Sequence, residues 1–130
     1  MKLNHLHILV TARGLTAPPR TAEAVEAWLT ELVSKVNMEI LIPAQGIRCD
    51  DEGNEGATGV VCIKTSHASL HCWDAVEDPF LTMDLYSCKE FDVAVVLDHL
   101  TAFGPREVEY MIIDRNGSYR AVAQNTVRFR

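Results

Sequence analysis

Alternation and helical spacing divide the chain into elements before any side-chain chemistry is considered. Residues 3–11 alternate apolar and polar as a strand, with Leu6, Ile8 and Val10 on one side and His5, His7 and Leu9 on the other. The stretch from Ala12 to Arg20 holds Gly14 and the pair Pro18-Pro19, and reads as a turn-rich connection. Thr21 then suits an N-cap, and Val25, Trp28, Leu29, Leu32, Val33 and Val36 recur at helical spacing over residues 22–36. Met38 to Ile42 resumes as strand, Asp50 to Gly56 is an acidic, glycine-containing loop, and Val60 to Ile63 is strand again. Asp92 caps a second helix running to Ala102, with Val93, Val96, Leu97 and Leu100 inward and Gly104-Pro105 ending it. Val108 to Ile113 forms a further strand, and Asn116-Gly117 turns the chain into a short one from Tyr119.

Between those elements lie two strands of unusual composition. In the first, His67, Ser69, His71 and Trp73 share one face, while Ala68, Leu70 and Cys72 share the other. In the second, Thr82, Asp84, Tyr86 and Cys88 oppose Leu81, Met83 and Leu85. Paired as a hairpin around residues 74–80, the two strands merge their reactive faces into one surface on a rigid sheet.

Two helices and six or so mainly antiparallel strands predict an α+β fold, a two-layer sandwich with both helices on one sheet face. At 130 residues the chain is expected to form a single domain, 1–130, with one core. The opposite sheet face, which carries the reactive side chains, is left open in a monomer and so is expected to meet a partner.

Composition narrows the classes. A net charge of −6, with no cluster of lysine and arginine, argues against nucleic-acid binding, although the tail around Arg120 and Arg128 is locally basic. The apolar runs are too short to cross a membrane, and the N-terminus lacks the pattern of a secretory signal, so the reading is cytoplasmic. Cys49, Cys62, Cys72 and Cys88 are expected as free thiols, without the Cys-x-x-Cys spacing of a structural zinc site. His5 and His7 share a strand face and are the candidates for a metal shared with His67 or His71; polar-face residues are the simpler reading, and no metal is expected.

The run Gly56-Ala57-Thr58-Gly59-Val60-Val61-Cys62-Ile63-Lys64-Thr65-Ser66-His67-Ala68-Ser69-Leu70-His71-Cys72-Trp73, followed by Asp84-Leu85-Tyr86-Ser87-Cys88, resembles the small prokaryotic and phage-type S-adenosylmethionine decarboxylases. Their pattern is a glycine-rich turn, a hydrophobic strand, Ser-His, a His five residues after the serine, Trp, and a strand ending in Cys. The resemblance implies a self-processing proenzyme whose serine attacks the preceding carbonyl. Cleavage between Thr65 and Ser66 would leave a β chain 1–65 and an α chain 66–130, with Ser66 converted to a pyruvoyl cofactor. That ketone forms a Schiff base with the substrate amine and serves as electron sink. By position, His71 becomes the processing acid/base, Thr58 the hydroxyl that assists processing, and Cys88 the proton donor in decarboxylation. The implied partners are S-adenosylmethionine and a second copy of the chain, paired sheet to sheet as a homodimer; the product feeds polyamine (spermidine) synthesis.

The chain departs from the pattern in three places. Thr65 stands where the family has Glu, the segment Trp73-Asp74-Ala75 replaces Trp-Pro-Glu, and the first strand lacks an acidic residue near its end. The second departure leaves Asp74 and Glu77 as candidates for the ribose, with Trp73 and Tyr86 as candidates to stack on adenine. Two alternatives therefore remain: decarboxylation of another amino acid such as arginine or ornithine, and a non-processing homologue that binds a ligand or a partner. Ser66 and His71 also pose a geometric question. Five residues apart, they fall on opposite faces of a regular strand unless Ser66 lies at a strand end or kink.

Overall fold

The computed structural model describes residues 4–129. Seven strands form one antiparallel sheet: β1 (Leu6–Arg13), β2 (Ile40–Cys49), β3 (Gly56–Ile63), β4 (Ser66–Trp73), β5 (Phe80–Ser87), β6 (Glu107–Asp114) and β7 (Arg120–Arg128). Their order across the sheet is β2-β3-β4-β5-β1-β6-β7. Helix α1 (Ala22–Lys35) and helix α2 (Val93–Leu100), the latter extended by a 3-10 turn over Thr101–Phe103, complete the fold. This is the expected α+β sandwich.

Both helix starts form as the caps dictate. Thr21 Oγ1 accepts from the Ala24 N–H, and the Asp92 carboxylate accepts from the Ala94 N–H. Gly104 ends the 3-10 turn at a φ of 59°, where a Cβ would strike the Thr16 hydroxyl. Ile8, Val10 and Ala12, Ala68 and Leu70, and Leu81, Met83 and Leu85 point to one side of the sheet and join Val25, Leu29, Leu32, Val96 and Leu100 in a single core. Burial of this set separates a dry helical face from the face bearing His7, His67, Ser69, His71, Asp84 and Tyr86.

Four stretches differ from expectation, each for a local reason. The expected start of the first strand, at residue 3, lies outside the described residues; β1 starts at Leu6 and continues through Ala12, which is fully buried between Leu81 and Val108. The edge strand β2 runs on to Cys49 through Pro43, with two register shifts that an edge tolerates. The glycine-rich run at 56–59 is strand rather than turn, because Gly56 passes so close to the Cys72 carbonyl that no Cβ fits. On the other edge, β7 is nine residues long, and its mostly exposed positions impose no clean alternation.

A buried histidine also went unannounced. His99 stacks on Trp28 with centroids 4.5 Å apart and ties the two helices together. Lys35 donates to its Nδ1 at 3.1 Å, which leaves Nε2–H to donate to the Trp28 carbonyl at 2.9 Å. Burial, above all, depresses its pKa and keeps it neutral.

Candidate active site

Strands β4 and β5 pair in the register that merges their polar faces, with Ser66 opposite Ser87, Ser69 opposite Asp84 and Trp73 opposite Phe80. Ser66 is the first residue of β4 and has a φ of 156°, a backbone conformation that L-residues rarely adopt. The strand end demanded by the parity argument is therefore present. Just outside the strand pair, the Cys88 N–H donates to the Thr65 carbonyl at 2.9 Å. Thr65 is held on its other side as well: its hydroxyl accepts from Ser87 Oγ at 3.0 Å and donates to the Met38 sulfur at 3.5 Å. The carbonyl that a Ser66 nucleophile would attack thus already faces a backbone donor of the kind that stabilises an oxyanion.

A polar network flanks this point. Asp84 accepts from the Ser69 hydroxyl and, at 2.7 Å, from Nε2 of His7. Arg115 lies 3.3 Å from Nδ1 of His7. Because a guanidinium only donates, Nδ1 is the accepting nitrogen of that contact and Nε2 the one that donates to Asp84. Partial burial works against the Asp84 charge, but the hydrogen bonds from His7 and Ser69 outweigh it and set its pKa below the ordinary carboxylate value. Arg115 also covers one face of the Tyr86 ring, 3.9 Å from its centroid, and the Tyr86 hydroxyl bonds Nδ1 of His5 at 2.8 Å. His5 and His7 thus face organic partners, and no cluster of three metal-ligating side chains occurs among the described residues. The sequence drew attention to Asp84 and the histidines; Arg115 was missed, since it sits in the turn after β6, remote in sequence.

The remaining predicted residues gather elsewhere. Thr58 and His71 are cross-strand partners and share a hydrogen bond of 2.9 Å between Oγ1 and Nδ1. Trp73 stacks on Phe80 with centroids 4.9 Å apart and donates to Asn54 at 2.9 Å. At strand rise, His71 stands about 16 Å from Ser66, so the two are not neighbours within one chain.

Asp74 is engaged within the protein. Its side chain is 1% exposed, and Arg48 binds both carboxylate oxygens, at 2.7 and 3.1 Å. Arg20 approaches it at 3.8 Å and donates to its carbonyl at 3.3 Å. This pairing, led by the Arg48 hydrogen bonds, pulls the Asp74 pKa down and engages both carboxylate oxygens within the chain. Glu77 remains exposed in the loop between β4 and β5. A groove of about 600 Å³ crosses the open face, lined by Asp84, Ser69, His71, Arg13 and Glu109 among others.

The S-adenosylmethionine decarboxylase family model matches residues 6–116. The chain belongs to this family. Its fold agrees: the crystal structure of the adenosylmethionine decarboxylase from Aquifex aeolicus VF5 superposes with a TM-score of 0.71 at 22% identity, covering 96% of this chain and 99% of that one. The Trypanosoma brucei AdoMetDC-delta26 monomer superposes with a TM-score of 0.60 at 10% identity, over 83% of this chain and 45% of that one. No curated protein sequence matches significantly. The activity assigned by the family is decarboxylation of S-adenosylmethionine, which supplies polyamine synthesis, and neither of the two alternative readings gains support.

Proposed function

We propose that this chain cuts itself between Thr65 and Ser66, carries a pyruvoyl group at residue 66, and decarboxylates S-adenosylmethionine as a homodimer. The observation that carries the proposal is the strained start of β4, where Ser66 adjoins a carbonyl already hydrogen-bonded by the Cys88 N–H. Attack by Ser66 Oγ on the Thr65 carbonyl carbon breaks the C–N bond and moves the hydroxyl proton to the Ser66 nitrogen, giving an ester. Removal of the Cα proton then expels the Thr65 carboxylate from Cβ and splits the chain into 1–65 and 66–130. Tautomerisation and addition of water release ammonia and leave the ketone. Thr65 in place of Glu is compatible with this route, since only its backbone carbonyl reacts.

A pyruvoyl group at residue 66 would supply the ketone that holds the substrate amine and the electron sink for decarboxylation. Cys88, one residue beyond the strand partner of Ser66, would return a proton to the substrate carbon, a reading its nearness to residue 66 supports. Arg115 covers the Tyr86 ring, and His5, His7 and His67 pack around it.

His71 and Thr58 lie too far along the strand to serve Ser66 of their own chain. A two-fold partner resolves this. Packing two open faces with their β4 strands antiparallel lays the His71 end of one over the Ser66 end of the other, and does so twice by symmetry. Exposed Leu9, Val60 and Ile47 on that face, at 38%, 52% and 68%, favour such burial. In that arrangement the partner's His71 serves elimination of the ester, and the partner's Trp73 and Glu77 approach adenine and ribose. Four free cysteines suit a reducing, cytoplasmic setting. No helix is long and apolar enough to cross a membrane among the described residues.

Intact-mass analysis of purified protein tests the core of this reading. Two fragments of 65 residues each, the second blocked at its N-terminus, are expected, together with release of carbon dioxide from S-adenosylmethionine. A chain that stays at full mass after prolonged incubation overturns the proposal.

A further inference from the structure

We propose that His67 is the base that takes the Ser66 hydroxyl proton in the acyl shift, with Asp84 as its positioning residue. The inference rests on the self-cleavage reading above and assigns its first proton transfer. Side chains of consecutive strand residues normally point to opposite faces, so Ser66 and His67 should not meet. The φ of 156° at Ser66 breaks that alternation, and its Oγ lies 3.2 Å from Nδ1 of His67. For the hydroxyl to donate there, Nδ1 must be bare and Nε2 must carry the ring proton. That nitrogen points at Asp84 Oδ2, 3.7 Å away, beyond a hydrogen bond but within ion-pair reach.

The sequence hydroxyl, imidazole, carboxylate is the order that general-base activation of a serine needs. Asp84 is itself fixed, because Ser69 and His7 occupy it and Arg115 holds Nδ1 of His7. Both ring nitrogens of His7 are thus engaged, and it is not free to act as the base. His71 is about 16 Å down the strand. His67 is the imidazole left beside the nucleophile.

The step balances without any external reagent. His67 Nδ1 takes the proton from Ser66 Oγ as the oxygen bonds to the Thr65 carbonyl carbon, and the charge on the carbonyl oxygen is met by the Cys88 N–H. Collapse breaks the Thr65–Ser66 C–N bond, and the imidazolium returns its proton to the departing Ser66 nitrogen. Asp84 stabilises the transient imidazolium. The titratable groups facing His67 are Asp84 and Tyr86 on β5, His7 on β1 and, at its register position on β3, Cys62.

The test follows cleavage by intact mass in freshly purified full-length chain. His67→Ala should slow cleavage by about 10²-fold or more, without accumulating an ester that hydroxylamine can cut, because the block precedes the ester. Added imidazole should restore part of the rate. His67 is exposed, so the variant should fold; if it does not, His67→Gln carries the same expectation. Asp84→Asn should slow cleavage less, about 10-fold, and move the acid limb of the cleavage pH profile to lower pH, an effect that mere loosening of the sheet would not produce. Cleavage of His67→Ala at the wild-type rate overturns the assignment, as does a hydroxylamine-sensitive ester in that variant. If the wild-type chain itself stays whole, the self-cleavage reading falls and takes this step with it; cleavage in the wild type with no loss in His67→Ala removes His67 alone.

Discussion

At the Ser66 end of β4 the neighbours are a strained backbone, a carbonyl under a hydrogen bond from the Cys88 N–H, and a string of ionisable groups through His67, Asp84, His7 and Arg115. At the Trp73 end they are two stacked aromatic rings and a Thr58–His71 pair, with no strained residue beside them. In the function proposed above, the first end breaks the bond and the second would hold a flat ring and offer an imidazole. A strand cannot fold back on itself, so on that proposal the chain would own two half-sites rather than one site, and a second copy is the simplest way to join them.

Ser66→Ala should have the largest effect, abolishing cleavage and all decarboxylation, because it removes the hydroxyl that attacks the Thr65 carbonyl and then departs as the ester oxygen in the elimination that leads to the ketone. Any residual split at Thr65–Ser66 in its mass spectrum would place the nucleophile elsewhere. Cys88→Ala should cleave normally, since the backbone N–H remains, yet lose about 10²–10⁴-fold in carbon dioxide release. Loss of cleavage instead would tie the Cys88 side chain to processing.

The separation of the two ends has its own test. His71→Ala alone should stall as an ester that hydroxylamine cuts. Co-refolded at equal concentration with Ser66→Ala, about half of the His71→Ala chains should sit in mixed dimers and be cleaved by the partner's His71. No cleavage in the mixture would return His71 to its own chain's Ser66 and break the two-half-site picture.

The smallest effect concerns the loops that frame the Trp73 end. Asp74→Ala should lower the melting midpoint by about 5–10 °C by stripping Arg48 of its buried partner and leaving it only the Asp50 carboxylate, while leaving cleavage intact. Because the Asp74 pKa is depressed in the fold, its contribution is present above about pH 4, the unfolded carboxylate range, and fades as pH falls through the lower folded value. Melting curves at pH 7 and pH 3 should therefore converge between wild type and variant at the acid end.

The elements that could be read from the sequence are those where one face is dry. Alternation in Ala68-Leu70-Cys72 and Leu81-Met83-Leu85, and the caps Thr21 and Asp92, act locally and needed no tertiary knowledge. The full lengths of β2 and β7 escaped because mostly exposed edge strands impose no clean period. The site divides likewise. The convergence of β4 and β5 followed from side-chain parity, whereas the fate of Asp74 depended on Arg48, 26 residues earlier and on another strand. Neighbours in sequence also misled: Ser66 and His71 belong to one motif, and the strand that joins them is what keeps them apart.

The strand order holds one more consequence. A break after residue 65 would assign β1, β2 and β3 to one piece and β4 to β7 to the other, yet β1 lies between β5 and β6. The two pieces would be interleaved, each lacking its central neighbours without the other. Unfolding would then release two polypeptides where the intact chain releases one, so the melting temperature of cut protein should rise with its concentration while that of Ser66→Ala depends less on it. Refolding of the cut form would be an encounter between molecules, and dilution alone would make it fail.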